Sequence, residues 1–261
     1  MPEFVAPTTI YYWPRNFLLR STDFTQAKPY QRISTTLIVA LHGQFHIETQ
    51  DLGALSAEAV VLGPAARRMA LRISGDCVCL LDVAPATAAH AGLMSLLRRQ
   101  PSRILEAGAC AAVRQVLAPL EEPAKRDPEL LRALHARAIA AIAPLPAVYE
   151  LDARIASLIQ ALDAMSLDEV RIGQLAARAG VSESRLRSLV RGELGCNLSQ
   201  YLRWLAAWKA ALHLQPGMTL TDAAHAAGFH DLAHANHTIN EMFGLSPSRV
   251  LCPQRVRLIR C

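Results

Sequence analysis

Ser184, Arg185, Arg187, Ser188 and Arg191 are spaced so that one helix would turn them all outward while Leu186, Leu189 and Val190 turn inward. That set has the chemistry to read a nucleic acid. An arginine guanidinium can bridge the O6 and N7 acceptors of guanine in a major groove, and a serine hydroxyl can bond several base edges. The plainer alternative is a solvated charged face, which is what most such patterns are. A second set, Leu232, Ala233, His234, Asn236 and His237, lies in the stretch AAGFHDLAHANHTINEMFGLSPS, Ala226 to Ser248, which contains neither Lys nor Arg. Asparagine can bond adenine bidentately and histidine can donate to bases or phosphates, so this set would read more weakly.

Other chemistries find less support. His230, His234 and His237 are four and three residues apart and could share a helix face around a metal. His230 falls at a turn, however, and no cysteine or carboxylate beyond Asp231 completes a ligand set. His42 and His46 flank a hairpin turn and read as surface residues. No metal or other cofactor is expected, and no nucleophile stands beside a base, so no enzymatic activity is expected either.

These candidate residues need elements to hold them, and the chain changes character along its length. From about Arg15 to Ala84, runs such as TTLIVAL, QFHIET, AEAVVLG and CVCLLDV alternate with Gly, Pro and Asp turns, which predicts short strands in a small barrel or sandwich. From Thr87 to Ala143 helical spacing predicts three helices, and the Pro144-Leu145-Pro146 stretch reads as a linker. The expected domains are therefore residues 1–143, a linker at 144–150, and residues 151–261.

Beyond Leu151 everything reads as helical. Ile155, Leu158, Ile159, Leu162 and Met165 form one apolar stripe. Leu175 and Ala176, the turn Gly180-Val181 and Ser182 as an N-cap outline a helix-turn-helix. The outline recurs as the capping box Thr219-x-x-Asp222, the turn Gly228-Phe229 and a helix opening near Asp231. A single helix from Leu198 to Leu214, about 25 Å long, joins the two units.

Composition sets outer limits. The chain has 261 residues, 52% hydrophobic and 19% charged, enough for a substantial core in about two domains. Its longest apolar runs are too short to span a bilayer and its first residues lack a signal-peptide pattern, so a cytoplasmic protein without membrane attachment is expected. Six cysteines without a C-x-x-C pair read as reduced thiols. A net charge of +5 permits a nucleic-acid partner.

The last hundred or so residues resemble the DNA-binding domain of the AraC/XylS family of bacterial transcription regulators. The resemblance rests on Leu175-Ala176, Gly180, Ser182, Leu186, Gly195, Tyr201, Leu202 and Ala210. It continues through Ala224, Gly228-Phe229, Asp231, Phe243-Gly244 and Ser246-Pro247. It implies an α+β chain: a small N-terminal cupin-like β-barrel with following helices, then an all-α domain of two helix-turn-helix units joined by a long helix. It also implies a sequence-specific regulator with double-stranded DNA and RNA polymerase as partners, a homodimer, and a small-molecule effector in the barrel.

By the same resemblance, Ser184, Arg187 and Ser188 match base-reading positions and Arg191 a phosphate contact. Ser182, Arg185 and the second set join them as DNA-binding candidates. The second unit departs from the family, with His234-Ala235, Asn236-His237 and Ile239-Asn240 where aromatic and basic residues are common. The alternative is an AraC-like interaction protein with a weakened second reader that acts by binding another regulator.

In the N-terminal half, Tyr11, Tyr12 and Trp13 are expected to close the mouth of an apolar pocket. Leu93, Leu96, Leu97, Leu130, Leu131 and Leu134 exceed what three exposed helices need, so some are expected in a symmetric contact with a second chain.

Overall fold

The computed structural model describes residues 7–122, 127–143, 145–146, 149–213, 218–244, 246–252 and 254–261. Pro144, Ala147 and Val148 of the expected linker and Leu214 of the expected long helix lie outside them. Contacts divide the chain into two compact units, residues 1–146 with 240–261, and residues 147–239. The sequence reading carries the second domain through residue 261, whereas by contacts the last 22 residues group with the first unit.

The first unit is built on a ten-stranded sheet. Its strands are β1 (Thr8–Trp13), β2 (Asn16–Gln26), β3 (Tyr30–Gln31), β4 (Thr35–Ala40), β5 (Phe45–Thr49), β6 (Gly53–Ala57), β7 (Ala59–Leu62), β8 (Arg67–Val83), β9 (Ser102–Ile104) and β10 (Val256–Arg260). Strand β8 organises it. Along its length β8 pairs with β2, its second half also pairs with β4, and its first half meets β3 and β5. The main path runs β10-β1-β2-β8-β4-β7-β9 and ends at two different edges, so hydrogen bonds do not close it into a barrel. The unit is β-rich and cupin-like, as the resemblance implies, although among the described residues the sheet is open rather than closed into a barrel.

Three helices cover one face: α1 (Ala88–Leu97), α2 (Ala107–Leu117) and α3 (Pro128–Ala140). Thr87 caps α1 and Asp127 caps α3, each with its side chain accepting a backbone N–H. Leu93, Leu97, Leu131 and Leu134 are buried in the same core as Leu18, Leu37, Val39 and Leu81 of the strands. The leucine surplus that suggested a second chain is thus largely taken up within this one, leaving Leu130 exposed and Leu96 half-buried. Tyr11 is likewise core, Tyr12 is buried in β1, and Trp13 packs edge-on to His135 at 5.1 Å. These aromatics belong to a packed strand rather than a pocket mouth. Strand β10 corrects the all-helical reading of the C-terminal part, since it runs parallel to β1 with Thr8 opposite Val256 and Tyr12 opposite Arg260.

The second unit is helical: α4 (Ala153–Ala164), α5 (Ile172–Arg178), α6 (Glu183–Leu194), α7 (Leu198–His213), α8 (Leu220–Ala226) and the first part of α9 (Leu232–Phe243), which ends in the other unit. Helix α7 is its axle, with Tyr201, Trp204 and Trp208 buried and Trp204 edge-on to Trp208 at 6.3 Å. Lys209 donates to the carbonyls of Leu162 and Met165 at the end of α4, satisfying acceptors a helix end leaves open. A short helix, α10 (Pro247–Val250), precedes β10. Among the described residues no helix is long and apolar enough to cross a membrane.

Candidate DNA interface

The two turns are made by glycines that need their conformation. Gly180, between α5 and α6, has φ +65°, and Gly228, between α8 and α9, has φ +82°. At Gly228 a Cβ would also stand 2.5 Å from the backbone nitrogen of Leu167, so close approach and backbone shape both require glycine.

Ser182 starts α6 as its N-cap, its Oγ accepting from the Arg185 N–H at 3.2 Å, and Gly195 ends it in the left-handed region. Between those caps Leu186, Val190 and Leu194 are buried and Leu189 is half-buried. Ser182, Ser184, Arg185, Arg187, Ser188 and Arg191 are all exposed, so the outward row expected from spacing lies along one helix. Arg187 donates through Nη2 to Glu183 Oε2 at 3.2 Å, one turn back. Sequence reasoning passed over Glu183, although a Glu followed by Arg at i+4 is itself a legible signal.

Helix α9 opens on Asp231, whose Oδ1 accepts the His234 N–H at 2.7 Å and whose Oδ2 accepts from His230 Nδ1 at 3.1 Å. The hydrogen bond from His234, then that from His230, hold the Asp231 carboxyl below the usual carboxylate range. The His234 ring stands edge-on to Phe229 at 5.3 Å. Ala233, His234 and His237 are exposed, Leu232 and Asn236 are half-buried, and Ala235, Thr238 and Met242 face inward. Helix α8 carries the expected capping box, Thr219 and Asp222 exchanging both bonds. Among the described residues no group of three His, Cys, Asp or Glu is placed to hold a metal ion.

Two exposed helices, each following a shorter helix and a glycine turn, are joined by a rigid α7. Residues 175–251 match a family model described as a helix-turn-helix domain, which spans both turns and α7. This stretch is similar to a helix-turn-helix domain. A helix-turn-helix domain is a fold that docks on DNA, and here it occupies residues 175–251. Solved structures of ToxT from Vibrio cholerae share the fold of this chain. One is 10% identical and covers 91% of this chain and 97% of its own, with a TM-score of 0.55. Another, described as unsaturated fatty acid bound wild-type ToxT, is 12% identical and covers 95% of this chain and 96% of its own, with a TM-score of 0.53. No curated protein matches this sequence.

A second polar cluster, in the first unit, was not anticipated. Asp82 is fully buried and its Oδ1 accepts from Arg32 Nη1 at 2.8 Å, Ser34 Oγ at 2.9 Å and Thr36 Oγ1 at 2.9 Å. Arg68, also buried, donates to Thr36 Oγ1 and the Ala66 carbonyl, and its guanidinium lies over the Tyr30 ring. Arg32 therefore pairs with the carboxylate directly, while Arg68 is linked to it through Thr36. Burial pushes Arg68 down to about 10. The signal was a charge inside an apolar strand-like run, as in RRMALRI and CLLDV.

Proposed function

We propose that this chain is a sequence-specific regulator whose principal reader is α6 and whose weaker reader is α9. The observation that carries the reading is the row Ser184, Arg187, Ser188 and Arg191, exposed along a helix fixed by Ser182 at one end and Gly195 at the other. Recognition helices use such faces: base contacts specify and phosphate contacts position. Ser182 and Arg185 flank this row at the start of the helix, while Leu232, Ala233, His234, Asn236 and His237 supply the second contact. The protein works in the bacterial cytoplasm as a homodimer and communicates with RNA polymerase, as the family resemblance implies. Dimerisation offsets a poor second reader through effective concentration. Footprinting on the DNA upstream of its own coding region is the test. Protection of a defined sequence is expected, and uniform protection at every salt concentration would refute it.

The regulator also responds to an effector held in the first unit, and the effector is an apolar molecule with an anionic head. The excess of buried positive charge at Arg32 and Arg68 supports this, since a buried cation without a counter-charge is costly. The unsaturated fatty acid held by ToxT is a molecule of that class. Titrating the protein with a long-chain unsaturated fatty acid should change its affinity for DNA, and Arg68→Gln should weaken the response. An unchanged DNA affinity at saturating fatty acid would remove this effector class.

A further inference from the structure

We propose that Glu183 is a positioning residue for base readout: it holds the Arg187 guanidinium ready for guanine, and Gly173 leaves it the room to do so. The inference rests on α6 being a DNA reader. Glu183 is the first residue of α6 and Arg187 lies one turn on, about 6 Å along the axis, so both belong to the N-terminal part that contacts base edges in this kind of motif. The ion pair is half-exposed, with side chains 52% and 49% accessible, and such pairs add little to stability.

What the pair supplies is order. A free arginine samples many rotamers and loses that freedom on binding, whereas a paired one has lost much of it already. Glu183 occupies one N–H of Nη2, leaving the other N–H of Nη2 and both on Nη1 free for guanine O6 and N7. The carboxylate also repels phosphate, which disfavours the non-specific mode in which Arg187 merely neutralises the backbone.

Gly173 is the second observation. It lies within α5, outside the left-handed region, where glycine is a poor helix former and no turn requires it. A Cβ there would stand 3.2 Å from Glu183 Oε1, so the carboxylate would have to shift by a few tenths of an ångström. One carboxylate oxygen thus rests against α5 while the other takes Arg187.

The test selects a preferred duplex from a random pool with the full chain. It then measures affinity for that duplex and for one in which the guanine no longer preferred by R187A is replaced by adenine. Wild type should discriminate at least tenfold. In E183A the ratio should fall at least fivefold while affinity for random duplex rises. G173A, which pushes the carboxylate aside, should lower the ratio in the same direction without lowering the thermal midpoint, because alanine is the better helix former. A purely helix-stabilising Glu183 would move the midpoint and leave the ratio alone. A ratio in E183A within twofold of wild type overturns the proposal, and if E183A fails to fold, an unchanged ratio in G173A does so. Selection of no sequence by wild type would instead remove α6 as a reader, and this proposal with it.

Discussion

Arg32 Nη1 meets Asp82 Oδ1 at 2.8 Å, with the two side chains 3% and 0% accessible, and Ser34 and Thr36 donate to the same oxygen. Breaking a buried pair by removing one partner leaves an uncompensated charge. Asp82→Asn should therefore destabilise the first unit by about 3 to 5 kcal/mol, because Arg32 would lose its paired carboxylate and Arg68 the one linked to it through Thr36. Urea denaturation would measure it. A loss below about 1 kcal/mol would show that the cluster is hydrated enough to stand alone.

The two readers should respond differently to substitution. Arg187→Ala should cost about 1 to 3 kcal/mol on the specific duplex and relax one base preference, as for a lost bidentate contact. Arg191→Ala should weaken all sequences alike and reduce the salt slope by about one. The double replacement of His234 and His237 by Ala should do less than Arg187→Ala. Salt-titrated binding decides the order, and a larger loss from the histidine pair would reverse the ranking of α6 and α9.

Glycine at the two turns should not be equally replaceable. Both have positive φ, so alanine at either should cost about 1 kcal/mol. Around Gly180 a Cβ meets nothing within 4 Å, whereas at Gly228 it meets the Leu167 nitrogen at 2.5 Å. Gly228→Ala should be the more damaging by a clear margin in thermal unfolding. Equal midpoints for the two variants would contradict the contact with Leu167.

Acid should destabilise the first unit through two buried histidines. Burial pushes His90 and His135 down to about 4, so both are neutral when folded and gain protons readily only when unfolded. Their folded values lie below the ordinary 6.5. Stability is then full above about pH 6.5 and falls as the pH drops towards 4, by up to roughly 3 kcal/mol for each residue. Replacing His135 by Gln should flatten that part of a stability curve measured against pH. A curve unaltered between pH 6.5 and 4 would assign the acid sensitivity elsewhere.

What was legible in the sequence was mostly local. Ser182, Thr219 with Asp222, Gly180 and Gly228 act within a few residues of themselves, so type and spacing were enough to outline both units. The sheet depended on distant partners. VRLIR breaks apolar-polar alternation at Ile259, and five residues after a helical stretch say nothing of β1; only the parallel register does. The burial of Arg32 and Arg68 was hard to read for a related reason. Charges are read outward by default, and these are buried because β4 and β8 bring Thr36 opposite Asp82 while β3 sets Tyr30 opposite Arg68. Leu93 and Leu131 show the converse, since apolar excess fixes burial but not whether the cover comes from the same chain.

The pairing of Thr8 with Val256 has a consequence during synthesis. A ribosome adding roughly 5 to 20 residues per second needs about ten to fifty seconds to get from one to the other. Throughout that time β1 can zip to β2 on one side, while its other backbone edge offers unpaired N–H and C=O groups to anything nearby. The nascent chain thus stays adhesive at this edge until the strand that ends the exposure has emerged. A helper that shields such edges co-translationally should raise the yield of this protein more than one that acts after release.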